Sequence, residues 1–195
     1  MEYLKLHVGC IEKRLEYNNM GIIITESGRD FGEFAEDNLF YIEQSDLLNK
    51  LGSGIKTVEF ITRLDANIIM FLEAKTGCPN PLNKLKDEES KAKFIAFYDD
   101  IAEKFQDSLQ IYTAGVLERY EANDEIGVNL KKIMPLRNKE LYFVLVITAD
   151  EILEDWLVGP KLELEERLRK IMKIWKVKVI VLNTTLAKQF GIISL

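Results

Sequence analysis

An α/β fold, in which helices pack on a sheet, is predicted by three features of the sequence. Two apolar strand-like runs flank a tight turn between residues 56 and 76, a long helical repeat follows them, and strand-like runs recur at 141–148 and 177–182. A helical segment separates the two late strands, so they are expected to run parallel. Strands that alternate with helices in this order are typical of an α/β sandwich.

The composition is that of a single soluble globular domain. The chain has 195 residues, of which 47% are hydrophobic and 30% are charged, and this length suits one domain with a sizeable core. No apolar run approaches the roughly 20 residues that span a bilayer, and the N-terminus lacks a signal-peptide pattern. The two cysteines, Cys10 and Cys78, are expected to be free thiols, so a cytoplasmic protein without a membrane span is predicted.

The charge limits the functions that the chain is expected to have. A net charge of −6 argues against a broad surface for non-specific nucleic-acid binding, because phosphates are bound by clustered lysine and arginine. It leaves room for a local basic patch, and a metal site itself requires acids. The single histidine, His7, is expected to be structural, which removes most mechanisms that need a histidine base.

The N-terminal part is predicted to contain strands, a loop and a helix. Strands are expected at 3–8 and 21–25, and residues 27–32 are expected to form a loop. A helix follows from about residue 38 to residue 50, because apolar residues keep a roughly helical period over 38–50. The run Gly52-Ser53-Gly54 is expected to end it.

Downstream of the hairpin, helices and strands alternate. A long helix is predicted from about 88 to 120, where large apolar residues recur every three to four positions. An irregular connector is expected at 121–138, and the strand at 141–148 is expected inside the sheet because it is apolar on both faces. A short helix closed by Gly191 should follow the last strand. For the amphipathic helix over 161–174, the expected core residues are Leu162, Leu168, Ile171 and Ile174.

Three charged residues stand in the apolar hairpin, namely Glu59 on its first strand and Glu73 and Lys75 at the end of its second. Charges in a buried strand cost free energy unless they pair or bind a ligand. A two-residue loop would place the two acids on opposite faces, whereas a three-residue loop, Asp65-Ala66-Asn67, places both acids with Lys75 on one face. We expect the three-residue loop, with Asn67 at positive φ and Asp65 accepting a backbone hydrogen bond.

This arrangement resembles the signature of the PD-(D/E)xK nuclease superfamily, which includes restriction endonucleases and archaeal junction resolvases. The family core is a helix, a bent antiparallel hairpin, a helix and a further strand, and residues 38–148 are similar to it. Glu73-Ala74-Lys75 matches the (Asp/Glu)-x-Lys element, and Glu59 stands where the family has its first acid. Glu43 matches an acid that many members carry on the preceding helix.

The resemblance implies a restriction endonuclease-like three-layer sandwich, in which helices flank a mixed central sheet. The chain would form one domain over 1–195, with an N-terminal strand extension at 1–30, the αββαβ core at 38–148 and a C-terminal αβα extension at 149–195. Small members of the superfamily act in restriction, repair or defence, commonly as dimers. The implied partners are therefore nucleic acid and a second copy of the chain.

The resemblance also implies a magnesium or manganese site that hydrolyses phosphodiesters. Glu59, Glu73 and the Ala74 carbonyl would supply oxygen ligands, which hard divalent cations prefer. Lys75 would orient the attacking water or stabilise charge on the phosphate, and Glu43 would hold a second metal or a metal-bound water. The basic residues expected to contact substrate phosphates are Lys84, Lys86 and Lys91.

Two alternatives to a nuclease remain open. Glu59 replaces the aspartate that is usual in the family, and the downstream Gln-x-x-x-Tyr element of its exonuclease branch is absent. Together with the acidic composition, these departures favour a catalytically inactive nuclease-fold protein that binds a protein partner. The other alternative is a structural charge network on an exposed sheet face, in which Glu73 pairs with Lys75 and Glu59 pairs with Arg63.

Overall fold

The computed structural model describes residues 21–80, 86–120, 124–132, 136–149 and 152–194. The strands in this part of the chain are β1 (Ile22–Glu26), β2 (Arg29–Phe34), β3 (Leu39–Phe40), β4 (Phe60–Arg63), β5 (Ile68–Lys75), β6 (Glu140–Ile147) and β7 (Lys178–Asn183). The α-helices there are α1 (Asp46–Leu51), α2 (Glu88–Val116), α3 (Val128–Lys131), α4 (Val158–Trp175) and α5 (Thr184–Gln189). The strand predicted at 3–8, with His7 and Cys10, lies outside the described residues.

Strands β3 to β7 form a five-stranded mixed sheet in which the spatial order follows the chain order. β3, β4 and β5 are antiparallel neighbours, whereas β6 is parallel to β5 and β7 is parallel to β6. The predicted parallel pair is therefore confirmed. β6 is an interior strand with seven of its eight residues buried, as its doubly apolar sequence predicts. β1 and β2 form a separate antiparallel hairpin.

Two apolar cores lie on opposite faces of this sheet. On one face, Phe71 of β5 packs among buried residues of α1, α2 and α4. On the other face, Leu72 packs among buried residues of the β1–β2 hairpin and α5. The fold is thus α/β, with helices on a five-stranded mixed sheet, and this layering is compatible with the predicted three-layer sandwich. None of the described helices is long and apolar enough to cross a membrane.

The helix predicted at 38–50 is wrong over its first half. Strand β3 takes up two of these residues, pairs antiparallel with β4 and is buried. Helix α1 begins only at Asp46, after Ser45, whose side chain caps it by accepting a hydrogen bond from the Leu48 amide at 3.1 Å. Pairing with the edge of β4 satisfies the backbone of β3 and outweighs the helical apolar spacing. Gly52 follows α1 at φ 83°, so the predicted end of the helix is confirmed.

The loop predicted at 27–32 is also wrong. Only Ser27 and Gly28 form a turn, and both have positive φ, at 48° and 74°. This is the backbone conformation that a tight two-residue hairpin turn requires. The chain then continues as β2, because Phe31 and Phe34 bury their rings against the sheet. The β1–β2 hairpin therefore crosses one face of the sheet, and its turn reaches the edge at which β5 and β6 end.

Helix α4 presents a different face to the core from the one predicted. It buries Pro160, Leu164 and Leu168, which lie four residues apart on one side of the helix. Leu168 is therefore confirmed as a core residue. The prediction is wrong for Leu162 and Ile174, whose exposed fractions are 59% and 73%. Leucine and isoleucine occur on more than one side of this helix, so their spacing alone does not select the buried side.

The remaining helices agree with the prediction except at one end. Helix α2 ends at Val116 rather than near 120, because Glu118 has φ 54° and leaves the helical conformation. Helix α5 is capped by Asn183, whose side chain accepts a hydrogen bond from the Leu186 amide at 2.8 Å. Gly191, at φ 66°, follows it as predicted.

Candidate metal centre at the end of the hairpin

The three-residue loop sets the register of the hairpin at the predicted site. The Leu64 amide donates to the Ile68 carbonyl at 3.1 Å, so the loop has three residues, as predicted. The regular pairing of β4 with β5 extends from there to Phe60, which lies opposite Leu72, and Glu59 lies in a bend just before β4 with its amide donating to the Leu72 carbonyl at 3.0 Å. Glu73 and Lys75 lie two residues apart on β5, so their side chains share the face from which Lys104 of α2 contacts Glu73.

The loop closes in a different way from the one predicted. Asn67 does not have positive φ, so that prediction is wrong. The Asp65 carboxylate instead accepts hydrogen bonds from the amides of Asn67 and Ile68, at 2.6 and 3.0 Å. The predicted role of Asp65 as a backbone acceptor is confirmed, and these two hydrogen bonds hold the loop without a left-handed residue.

Glu73 is a buried carboxylate held by two lysines. Its side chain is 0% exposed, and its Oε1 atom lies 2.6 Å from Lys75 Nζ and 2.8 Å from Lys104 Nζ. Its Oε2 atom is buried and accepts no hydrogen bond from the described residues. Burial raises the pKa of Glu73, and the two ammonium groups oppose that shift. A buried carboxylate oxygen without a partner is unfavourable until a cation or a donor satisfies it.

Lys104 belongs to this site although the sequence-based prediction does not contain it. It lies on α2, three residues after the buried Ile101 and four before the buried Ser108, so it shares the helix face that packs on the sheet. Its side chain is only 13% exposed. Burial lowers the pKa of Lys104, but the Glu73 carboxylate outweighs this effect and the net shift is upward. The signal that could have found it is a lysine inside the apolar stripe of a helix.

Glu59 meets two further carboxylates. Single oxygen atoms of Glu26, Glu43 and Glu59 lie within 4.8 Å of one another. Glu59 is 5% exposed, and burial, a hydrogen bond with Glu43 and the charge of Glu73 raise the pKa of Glu59 to about 9. The Glu43 amide donates to the Glu59 carbonyl at 3.4 Å. The structure therefore brings Glu43 to the predicted acids, although from a 3-10 turn rather than from a helix.

Glu26 is the second site residue that the sequence-based prediction lacks. It is the last residue of β1, and the Tyr41 hydroxyl donates to its Oε1 atom at 2.6 Å. The next residue, Ser27, donates through Oγ to the Ala74 carbonyl at 3.0 Å, which anchors the hairpin turn at the end of β5. The Ala74 carbonyl, predicted as a metal ligand, therefore keeps one lone pair. No local pattern around Glu26 signals that it reaches residues on other strands.

The charges of this acidic centre (Glu26, Glu43, Glu59 and Glu73) fit a divalent cation. Four carboxylates lie with two ammonium groups, so an excess of two negative charges remains when all of them are ionised. Carboxylate oxygens are the ligands that Mg²⁺ and Mn²⁺ prefer. The three carboxylates whose oxygen atoms lie close enough together to hold one ion are those of Glu26, Glu43 and Glu59, and the Oε2 atom of Glu73 is a further oxygen without a partner among the described residues. The residues present therefore fit the predicted cofactor.

Of the three lysines predicted to contact phosphates, Lys91 is the one that the structure locates far from the acidic centre. Lys84 lies outside the described residues, and Lys86 is exposed just before α2. Lys91 is exposed, with its Nζ atom 3.5 Å from Glu88 Oε1. It precedes Lys104 by thirteen residues on α2, which corresponds to about 20 Å along the helix. Lys91 is therefore too far away to touch a phosphate bound at Glu73.

The alternative of an exposed charge network is wrong in its main feature. Glu59 and Glu73 are both buried, whereas that alternative requires an exposed sheet face. The predicted pair of Glu73 with Lys75 is present. Arg63, however, donates through Nε to the Asp65 carbonyl at 2.9 Å instead of pairing with Glu59. Surface charge pairing does not account for the burial of Glu59 and Glu73.

Comparisons with protein-family models, with curated proteins and with solved structures found no match to this chain. A function is therefore inferred from the acidic centre and from the order of the elements around it.

Proposed function

We propose that this protein is a metal-dependent nuclease that hydrolyses phosphodiester bonds of DNA or RNA. The observation that supports this most directly is the buried Oε2 atom of Glu73, which has no partner among the described residues. It belongs to a carboxylate that lies against Lys75 and whose charge helps to raise the pKa of Glu59. Ionisable groups kept in such an unfavourable environment are frequent at functional sites.

The order of elements supports a restriction endonuclease-like fold. The antiparallel hairpin β4–β5 is followed by the long helix α2 and then by β6, which lies parallel to β5. This is the order that the resemblance to the PD-(D/E)xK superfamily implies. The Glu73-Ala74-Lys75 run ends β5, and Glu59 directly precedes β4, which supports the signature that the resemblance implies. Glu43 adds an acid that precedes the hairpin, as in many members.

The roles of the side chains follow from their positions. Glu59, Glu73 and Glu43 would hold Mg²⁺ or Mn²⁺, which supplies a water of lowered pKa and neutralises charge on the phosphate. Lys104 engages Oε1 of Glu73 from α2, so it orients this carboxylate and leaves Oε2 for the cation. The Lys75 side chain is 30% exposed, so its ammonium can approach substrate while it remains against Glu73. It would orient the attacking water or stabilise charge that develops on the phosphate.

The test is cleavage of single- and double-stranded DNA and RNA in Mg²⁺ or Mn²⁺. We expect Glu73→Gln and Lys75→Met each to lower the rate by about a hundredfold or more, because each removes a charge next to the reacting phosphate. The matched controls are Glu103→Gln and Lys170→Met, which change exposed residues on α2 and α4 outside the acidic centre. Cleavage that survives in Glu73→Gln at the wild-type rate would refute the proposed site.

Manganese binding, followed by electron paramagnetic resonance, separates the loss of metal from the loss of chemistry. Wild type, Lys75→Met and both controls are expected to bind Mn²⁺, since each keeps all the carboxylates of the acidic centre. Glu73→Gln is expected to lose binding because its amide is a weak ligand for a hard cation. Equal Mn²⁺ affinity of wild type and Glu73→Gln would contradict the assignment of Glu73 as a ligand.

A catalytically inactive nuclease-fold protein that binds a protein partner is the second candidate. It is favoured by the Ser27 hydroxyl, which already donates to the carbonyl of Ala74, and by the net charge of −6. A wild-type protein that neither binds Mn²⁺ nor cleaves any of the four substrates would favour this candidate over the nuclease.

A further inference from the structure

A pocket of about 240 Å³, separate from the acidic centre, lies at the carboxyl ends of β6 and β7. Parallel strands of open α/β sheets bind ligands at this end, because the connections that follow the strands leave a crevice there. Two cationic side chains come from separate elements, Arg29 from the start of β2 and Lys188 from α5. The polar side chains that line the same pocket are Asn183, Thr184 and Thr185.

The pocket and the acidic centre share one edge of the sheet. Lys75 of β5 pairs with Ile147 of β6, which pairs with Asn183 of β7. Two strand spacings separate Lys75 from Asn183, so their backbones are about 10 Å apart. A nucleic-acid strand rises about 3.4 Å per nucleotide in a duplex, so this distance corresponds to only a few nucleotides.

A chain of hydrogen bonds joins the end of β5, beside the acidic centre, to the pocket. Ser27 Oγ donates to the Ala74 carbonyl at 3.0 Å, and the Ser27 carbonyl accepts from Thr148 Oγ1 at 2.7 Å. Thr184 Oγ1 donates in turn to the Thr148 carbonyl at 3.4 Å. The β1–β2 hairpin spans both sites, since Glu26 enters the acidic centre and Arg29 enters the pocket from opposite sides of one two-residue turn. These contacts hold the two sites in a fixed relative position.

The charge of the described residues that line the pocket suits an anion. Lys188 is exposed, and its ammonium makes no ion pair with the described residues. The described residues that line the pocket include two cations and no acid, in contrast to the acidic centre. Asp150 and Glu151 lie outside the described residues. The Lys188 ammonium, the Arg29 guanidinium and the Thr185 hydroxyl are donors of the kind that phosphate oxygens accept.

We propose that this pocket binds a backbone phosphate of a nucleic-acid strand, a few nucleotides from the phosphate at the acidic centre. The proposal rests on the nuclease function proposed above and names the surface along which the substrate runs. Substrate would cross the carboxyl edge of the sheet from β5 to β7. The pocket would position the strand, and the chemistry would stay with the acidic centre.

The test compares Lys188→Ala with Lys170→Ala, which removes the same charge from an exposed position on α4. Binding of fluorescent single- and double-stranded DNA and RNA oligonucleotides is measured in EDTA over a series of salt concentrations. We expect Lys188→Ala to flatten the slope of log K against log salt by about 1 and to weaken binding about eightfold at roughly 0.1 M salt. Lys170→Ala should change neither quantity. Thr185→Lys, at an exposed lining position, should strengthen binding.

Cleavage kinetics with Mg²⁺ separate this proposal from the nuclease proposal. Lys188→Ala should raise KM about eightfold with kcat unchanged, because it removes a positioning contact. Cleavage with equal KM for Lys188→Ala and Lys170→Ala would overturn the pocket and leave the nuclease standing. Oligonucleotide binding that depends on Lys188 without any cleavage would support the pocket and overturn the nuclease. If Lys188→Ala weakens the binding of inorganic phosphate but leaves the binding of oligonucleotides unchanged, the pocket is overturned as a nucleic-acid site.

Discussion

Replacing Glu59 with glutamine is expected to stabilise the metal-free protein, whereas most substitutions of buried residues destabilise. Glu59 is 5% exposed and shares a small volume with oxygen atoms of Glu26 and Glu43. Without a cation, the folded protein relieves this crowding by keeping a proton on the cluster. Glutamine has nearly the same shape and needs no such proton, so Glu59→Gln removes the cost of protonation.

The magnitude follows from the pKa of Glu59, which is raised from 4.5 to about 9. Between these values the folded state binds more protons than the unfolded state, so the free energy of unfolding falls as the pH rises. At pH 7, which is about 2.5 units above the ordinary pKa of 4.5, keeping this proton costs on the order of 3 kcal/mol. Water screens part of this on the side where Glu43 is exposed. We therefore expect Glu59→Gln to gain about half of it, between about 1 and 2 kcal/mol.

Thermal unfolding in EDTA, over a pH series from about 5 to 9, measures this effect. Wild type should lose stability as the pH rises, and Glu59→Gln should lose less. At neutral pH the variant should melt about 3 to 7 °C higher, given the size of the protein. Saturating Mn²⁺ should reverse the order, since a ligand at about 100 times its Kd adds about 2.7 kcal/mol to the state that binds it.

Glu103→Gln is the matched control, because Glu103 is an exposed acid that pairs with Lys56 at 2.8 Å. It should give no gain in stability at any pH. The reasoning would be refuted by a melting temperature of wild type that stays level across the pH series. It would be refuted equally by a Glu59→Gln variant that melts below wild type in EDTA at neutral pH. Either result would mean that the acidic centre carries no excess of unfavourable charge.

Three further predictions concern the site and the core. Lys104→Met should destabilise the protein by about 1 to 3 kcal/mol in urea unfolding and lower its Mn²⁺ affinity, because it removes one of two donors from the buried Glu73 carboxylate. A free energy of unfolding and a Mn²⁺ affinity that both stay unchanged would show that Lys75 alone holds Glu73. Mn²⁺ affinity should rise with pH, by up to about tenfold per pH unit below the raised pKa of Glu59, because Mn²⁺ binding releases the proton of Glu59. Calorimetry in two buffers should detect that release. An affinity that does not depend on pH would exclude Glu59 as a ligand. Leu168→Ala should lower the free energy of unfolding by about 2 to 5 kcal/mol and Leu162→Ala by less than about 0.5 kcal/mol, because only Leu168 of these two is buried. Chemical denaturation of the two variants tests which side of α4 faces the core.

Those features of the site that depend on neighbouring residues could be predicted from the sequence. The loop of three residues that begins at Asp65 sets the register of the hairpin, and side chains alternate along each strand. These two local facts suffice to put Glu73 and Lys75 on one face of β5 and to bring Glu59, just before β4, next to Leu72. The parallel pairing of β6 with β7 follows in the same way from the helix between them.

Other features were decided by tertiary packing. Lys104 reaches Glu73 from 31 residues away because α2 crosses that face of the sheet. Glu26 reaches Glu59 because the turn of the β1–β2 hairpin is held at the ends of β5 and β6 by Ser27. The sequence of each segment favours its local structure and carries no information about which segment packs over which face. The strand β3 shows the same effect, since an unpaired edge of β4 converts part of a helical pattern into a strand.

The sequence by itself therefore determined the class of fold, the hairpin, and the placement of Glu73 and Lys75 on one face of β5, because these depend on the spacing of apolar residues and on the length of the loop. Only the tertiary structure decided that Glu59 and Glu73 are buried, that Lys104 and Glu26 join them, and that Glu73 keeps one oxygen without a partner among the described residues. The physical reason is that burial and charge pairing depend on contacts between distant segments, and those contacts form only when the segments pack together.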